Sequence, residues 1–217
     1  KYSLGHQGWM LPQYVFLDPA LTFNLPKYIT ASTGIDVLCQ AVESYWSTLS
    51  TEESKQYAKQ AISLVLENLA VAVNDPSQKS REAMLLAANL AGKAINISKT
   101  TACHSISYPI TSYFGVSHGH ACALTLGEMC LYNSKVTDDD CLDKRGTLYV
   151  KQVLSELCGS FQVEKPEMMQ QEINNLMNQV GLARKLQGLH ISVQLFAHRD
   201  VCSGVPVSQT RACSYLH

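Results

Sequence analysis

Neither sign of charge predominates in this sequence. Lysine and arginine number 17 against 18 aspartates and glutamates, and charged residues make up only 16% of the chain. The basic stripe of a dedicated nucleic-acid binder is therefore missing, and no nucleic-acid partner is expected. No uncharged apolar run reaches the roughly 18 residues that span a bilayer, and no signal-like stretch opens the chain, so no membrane partner is expected. CxxC pairs are also lacking. The eight cysteines are scattered among apolar and helix-forming residues, which predicts reduced thiols and a cytoplasmic location rather than a disulfide framework. Repeats, low-complexity tracts and glycine-rich linkers are absent too. What is there is a chain of 217 residues, 46% hydrophobic, enough for one ordinary domain with a sizeable core. It opens at Lys1 in a loop-like stretch, which predicts a fragment or a processed product.

Along the chain the patterns are mostly helical. "YVFLDP", from Tyr14 to Pro19, reads as one short strand ended by a proline. From Thr33 onward Val37, Leu38, Ala41, Val42 and Tyr45 fall on one broad helical face. Ser50 and Glu53 have the spacing of a capping box opening the next helix, which carries Tyr57, Ala61, Ile62, Val65, Leu66 and Leu69. A third helix is dense in Ala87, Ala88, Ala91 and Gly92, small residues that predict close approach and a central place. Helical pattern resumes after Gly119 and again from Asp143 to Leu157. The expected organisation is an all-helical domain over 1–190, with a short strand and loop at its start. The tail over 191–217 is expected to be divergent, disordered or foreign to the fold.

Three of the seven histidines lie close together, at 104, 118 and 120. His104 and His118 are fourteen apart with Pro109 and Gly115 between them, so they can converge from two helices or from a helix and a loop. Asp36 and Gln40, four apart on a predicted helix, aim two oxygen donors the same way, although such a pair is ordinarily a solvated face. Two imidazoles and a carboxylate with open positions suit Fe(II), and zinc also accepts them; Gln40 would be a weak fourth ligand. His120 and Tyr108 are candidates for a proton relay or for orienting a substrate.

Two of these segments together resemble the iron-containing (group III) alcohol dehydrogenase family. "LDPALTFNLPKYITASTGIDVLCQAVESYWS" is similar to the family's entry into its helical domain, and "CHSISYPITSYFGVSHGHACAL" to its signature H-x-x-x-H-P…H-G-x-A-N-A. The resemblance covers roughly Tyr14 to Leu189. It implies a mainly α fold, the helical metal-binding half of the dehydroquinate synthase-like architecture. The dinucleotide-binding N-terminal half, with its glycine-rich GGGS loop, is expected to be absent from this chain.

By that resemblance Asp36, His104 and His118 take metal-ligand positions. The cofactors would be Fe(2+), with Zn(2+) as the other choice, and NAD(P) bound mainly by the absent half. Two positions depart from the pattern: Gln40 stands where the family has histidine, and Tyr108 replaces the second histidine of H-x-x-x-H-P. The flanks look like the branch containing phosphonoacetaldehyde reductases. The implied function is a metal-dependent alcohol dehydrogenase or aldehyde reductase acting on a small aldehyde or alcohol, with Lys99 the nearest basic residue for an acidic substrate group. A homodimer is the expected assembly, and this chain alone is expected to be inactive. The alternative is an inactive relative that keeps only the helical fold.

Overall fold

The computed structural model describes residues 11–191; residues 1–10 and 192–217, and with them Cys202, Cys213 and nearly all of the expected tail, lie outside the described part. Among the described residues seven α-helices follow in order: α1 Lys27–Trp46, α2 Glu52–Asn74, α3 Gln78–Ser98, α4 Ala102–Phe114, α5 His118–Ser134, α6 Thr147–Ser160 and α7 Pro166–Gln179. Two short 3₁₀ turns, Pro19–Thr22 and Leu186–Leu189, flank them. The expected mainly α fold is what forms.

α1 is the centre. Thr30 to Tyr45 is buried on almost every side, because α1 packs on α2, α3, α5 and α6 at once. Its apolar face lands as the periodicity predicts, with Val37, Leu38, Ala41, Val42 and Tyr45 all buried. The central place expected for α3 is a correction. Ala87, Ala91 and Ala94 are buried, and α3 lies against α1 and α2. Ala88 is exposed, and nothing would meet a Cβ on Gly92. Small residues there shape one face rather than mark a buried core helix.

Three other expectations shift for physical reasons. The strand over Tyr14–Pro19 does not form: the segment is not paired with any described strand, and Tyr14 and Phe16 stay exposed. β-branched and aromatic residues favour extended backbone, but a strand also needs a neighbour for its hydrogen bonds. The box that opens α2 is built one residue later, from Thr51 and Ser54. The Thr51 hydroxyl accepts from the Ser54 amide at 3.2 Å and the Ser54 hydroxyl accepts from the Thr51 amide at 2.9 Å. Ser50 is taken instead by Arg145, which donates to its carbonyl at 3.1 Å. Finally, α6 begins at Thr147 rather than Asp143. Asp143 and Arg145 are spent on a turn whose guanidinium also donates to the Ser47 carbonyl at 2.9 Å, clasping the loop to the α1–α2 turn.

α5 comes close against α1. A Cβ on Gly119 would collide with the Ser32 carbonyl oxygen and the Asp36 Cβ, so only glycine allows this approach. That contact seats the start of α5 beside the middle of α1, where the polar residues of the next subsection meet.

Candidate metal centre

Asp36, Gln40 and Glu43 lie at i, i+4 and i+7 of α1 and so form one stripe along it. Glu43 is fully buried. One of its oxygens accepts from the Thr101 amide at 3.1 Å, the Cys103 amide at 2.8 Å and the Thr101 hydroxyl. The carboxylate thus caps the start of α4, where unsatisfied amides and the helix dipole favour a negative charge. Its other oxygen bonds Nδ1 of His104. A buried carboxylate with this many donors is tolerable where a bare one would not be.

This bond fixes the imidazole. With Nδ1 holding its proton toward Glu43, His104 presents Nε2 to Asp36. His118, the first residue of α5, is set in the same sense. The Ser107 hydroxyl gives its single proton to the His104 carbonyl at 2.7 Å, so it accepts from Nδ1 of His118 at 3.1 Å. The Nε2 lone pair of His118 is left facing inward, 3.8 Å from the Cys122 sulfur. The two rings meet edge-on with centroids 5.3 Å apart. Gln40 donates from Nε2 to Oδ2 of Asp36 at 3.0 Å, holding the carboxylate with Oδ1 turned to the site.

The result is a set of donors aimed at one point. One ligand atom from each of Asp36, His104, His118 and Cys122 lies within 4.8 Å of all the others. Asp36 Oδ1 and His104 Nε2 face each other at 3.5 Å, yet both are buried without a hydrogen bond. Burial alone would push the His104 imidazole down, but the nearby Asp36 carboxylate, the Cys122 sulfur and the bonded Glu43 carboxylate outweigh it and push it up to about 12. A proton there answers the same surplus of negative charge that a cation would. Burial pushes the Cys122 thiol up, and His104 pulls it part of the way back. A buried nitrogen and a buried oxygen without partners, beside a second imidazole and a thiol and held by outer hydrogen bonds, fit a divalent metal ion.

The structure therefore brings Asp36, His104 and His118 together, with Gln40 on the carboxylate. Tyr108 stacks on His118 with centroids 5.7 Å apart. His120 is not brought to this cluster. Two residues along a helix turn a side chain to the far side, and His120 Nε2 donates to the Ala183 carbonyl at 2.7 Å, its ring edge against Tyr28. Burial pushes its pKa down, partly offset by that carbonyl. Lys99 is exposed and turns its ammonium back to the Asn96 carbonyl at 3.3 Å. Sequence reasoning missed Glu43, Ser107 and Cys122. The signals were present for two of them: Glu43 completes the stripe begun by Asp36, and Cys122 stands four after His118 on one helix face.

Residues 30–199 match the family described as "Fe-containing alcohol dehydrogenase family, C-terminal". The phosphonoacetaldehyde reductase of Streptomyces viridochromogenes is 41% identical over 147 residues, 67% of this chain and 37% of that protein. The 1-propanol dehydrogenase of Citrobacter freundii is 34% identical over 136 residues, 62% of this chain and 36% of that protein. Among solved structures, the sulfoacetaldehyde reductase from Bifidobacterium kashiwanohense in complex with NAD+ superposes with a TM-score of 0.75 at 30% identity. That match covers 92% of this chain and 52% of the other. The chain spans 37% and 36% of the length of the two sequence relatives and about half of the solved one.

Proposed function

The chain belongs to the iron-containing alcohol dehydrogenase family, matching its C-terminal part, and from that premise we propose that it carries the metal site of an NAD(P)-linked aldehyde reductase. The observation that carries this reading is the pair of orphaned donors, Asp36 Oδ1 and His104 Nε2, buried beside the inward-facing Nε2 of His118. Asp36, His104 and His118 would hold the cation, iron(II) or zinc. When bound, it supplies Lewis acidity toward a carbonyl oxygen, and a nicotinamide supplies the hydride.

The chain's own residues do the positioning. Glu43 and Ser107 keep both imidazoles in the tautomer that offers Nε2 inward. Gln40 keeps one carboxylate oxygen of Asp36 occupied and the other available. Tyr108 stacks its ring on His118 beside the site, and we assign the proton relay to its hydroxyl. The His120 Nε2 proton is engaged by Ala183, so that residue serves to seat α5.

For the substrate we propose a small aldehyde bearing a strongly acidic group, phosphonoacetaldehyde first. The support is that two relatives of this chain are named for phosphono- and sulfoacetaldehyde reduction. Six described cysteines are free, in keeping with a reducing cytoplasm. No described helix is long and apolar enough to cross a membrane.

The test is bound iron and zinc per chain for the wild type and for His118→Ala. About one ion per chain, lost in the variant, supports the reading. A folded wild type that takes up neither ion when both are offered overturns it and leaves the inactive helical relative. Substrate choice is then read from NADH and NADPH oxidation with phosphonoacetaldehyde, sulfoacetaldehyde and acetaldehyde. This is measured in the protein that joins this unit to a dinucleotide-binding one, and equal rates with acetaldehyde would remove the acidic-group preference.

A further inference from the structure

The resemblance leaves the ligand set one short, because Gln40 stands where the family has an imidazole. The Gln40 amide is turned to Asp36, so α1 does not replace that donor with a nitrogen of its own. α5 offers one instead. Cys122, at the asparagine position of H-G-x-A-N-A, lies one helical turn beyond His118, and its sulfur is 3.8 Å from His118 Nε2. It falls within the same 4.8 Å cluster as Asp36 and His104. His104 is 5% exposed, and its partnerless Nε2 is aimed into this cluster.

Resting on the metal-site reading above, we propose that Cys122 is the fourth metal ligand. This would convert a nitrogen–oxygen site into one with a thiolate. Coordination replaces the S–H bond with a sulfur–metal bond and releases that proton to solvent, with no change in oxidation state. Asp36 and the thiolate together carry two negative charges against a divalent cation. Soft sulfur shifts the preference toward zinc, which takes Cys, His and Asp ligands in one four-coordinate shell and can expand to five. A migrated ligand of this kind also explains how the family's histidine could be exchanged for Gln40 without emptying the site of donors.

Cobalt(II) reports the sulfur directly. The full chain, stripped with chelator under reducing conditions and loaded with Co(II), should show cobalt ligand-field bands and a thiolate-to-cobalt charge-transfer band in the near ultraviolet. Cys122→Ser and Cys122→Asn should lose the charge-transfer band, while Cys103→Ser, removing a nearby buried thiol, should keep it. Differential alkylation of the wild type covers the case of a variant that does not fold. The peptide carrying Cys122 should be protected by bound Co(II) or Zn(II) and labelled after chelation. Cobalt bound with ligand-field bands but no charge-transfer band, and no protection of Cys122, overturns the thiolate ligand and leaves the metal site standing. No cobalt or zinc bound by the folded wild type overturns both.

Discussion

Glu43 and Ser107 perform matching tasks on the two imidazoles, each holding an Nδ1 proton so that Nε2 is left for the site. The two differ in how replaceable they are. Glu43 has three donors on one oxygen and His104 on the other. A glutamine there can offer its single oxygen to one side only. With that oxygen on the α4 amides, its NH₂ faces His104 and drives the imidazole proton onto Nε2, the atom aimed at Asp36. Glu43→Gln should weaken zinc or cobalt binding by about 10- to 100-fold in chelator competition, with helical circular dichroism retained. Unchanged affinity would remove the orienting role. Asp36, His104 and His118 are legible in sequence because their spacing matches a family pattern. Glu43 is not, since an acid on a polar helix stripe ordinarily faces solvent, and its partner, the start of α4, is brought to it only by folding. Cys122 hides for a related reason: a cysteine in an apolar helix reads as core packing.

At the level of elements, the site depends on how closely α5 lies on α1. Gly119 is the point of contact, and adding one methyl forces its Cβ into the Ser32 carbonyl and the Asp36 side chain. Gly119→Ala should lower stability by about 1–3 kcal/mol in denaturant unfolding and should also weaken metal binding, because Asp36 is pushed with its helix. Loss of stability with metal affinity intact would separate the two. Helix existence was legible from periodicity for five of the seven described helices; α4, which carries Pro109 in its interior, and α7 were not read, and helix starts were not legible. Ser50 and Asp143 both look like openings, and both belong instead to the Arg145 clasp. That clasp has its own signature in pH. Burial would raise the Asp143 carboxyl, but Arg145 outweighs it and holds the group below its ordinary value. A depressed folded pKa gives stability that is present above the unfolded pKa and lost as pH falls through the folded one. Acid unfolding of the wild type should therefore steepen below about pH 4, and Asp143→Asn should flatten that limb. A variant whose acid limb overlays the wild type would remove Asp143 from the account.

Across the whole molecule, the four candidate donors come from three helices: Asp36 on α1, His104 on α4, and His118 with Cys122 on α5. Unfolding scatters them along the chain, so an ion that binds this constellation binds the native state and hardly the unfolded one. Free ion at about 100 times its dissociation constant should stabilise by about 2.7 kcal/mol. For a chain of this size that is a rise of roughly 5–10 °C in the thermal midpoint, reversed by chelator and absent in His118→Ala. A midpoint indifferent to both ion and chelator would mean the helices hold together without it. Inside a cell the same coupling would make metal supply a determinant of abundance: chains that missed their ion would open more often and be removed by quality control.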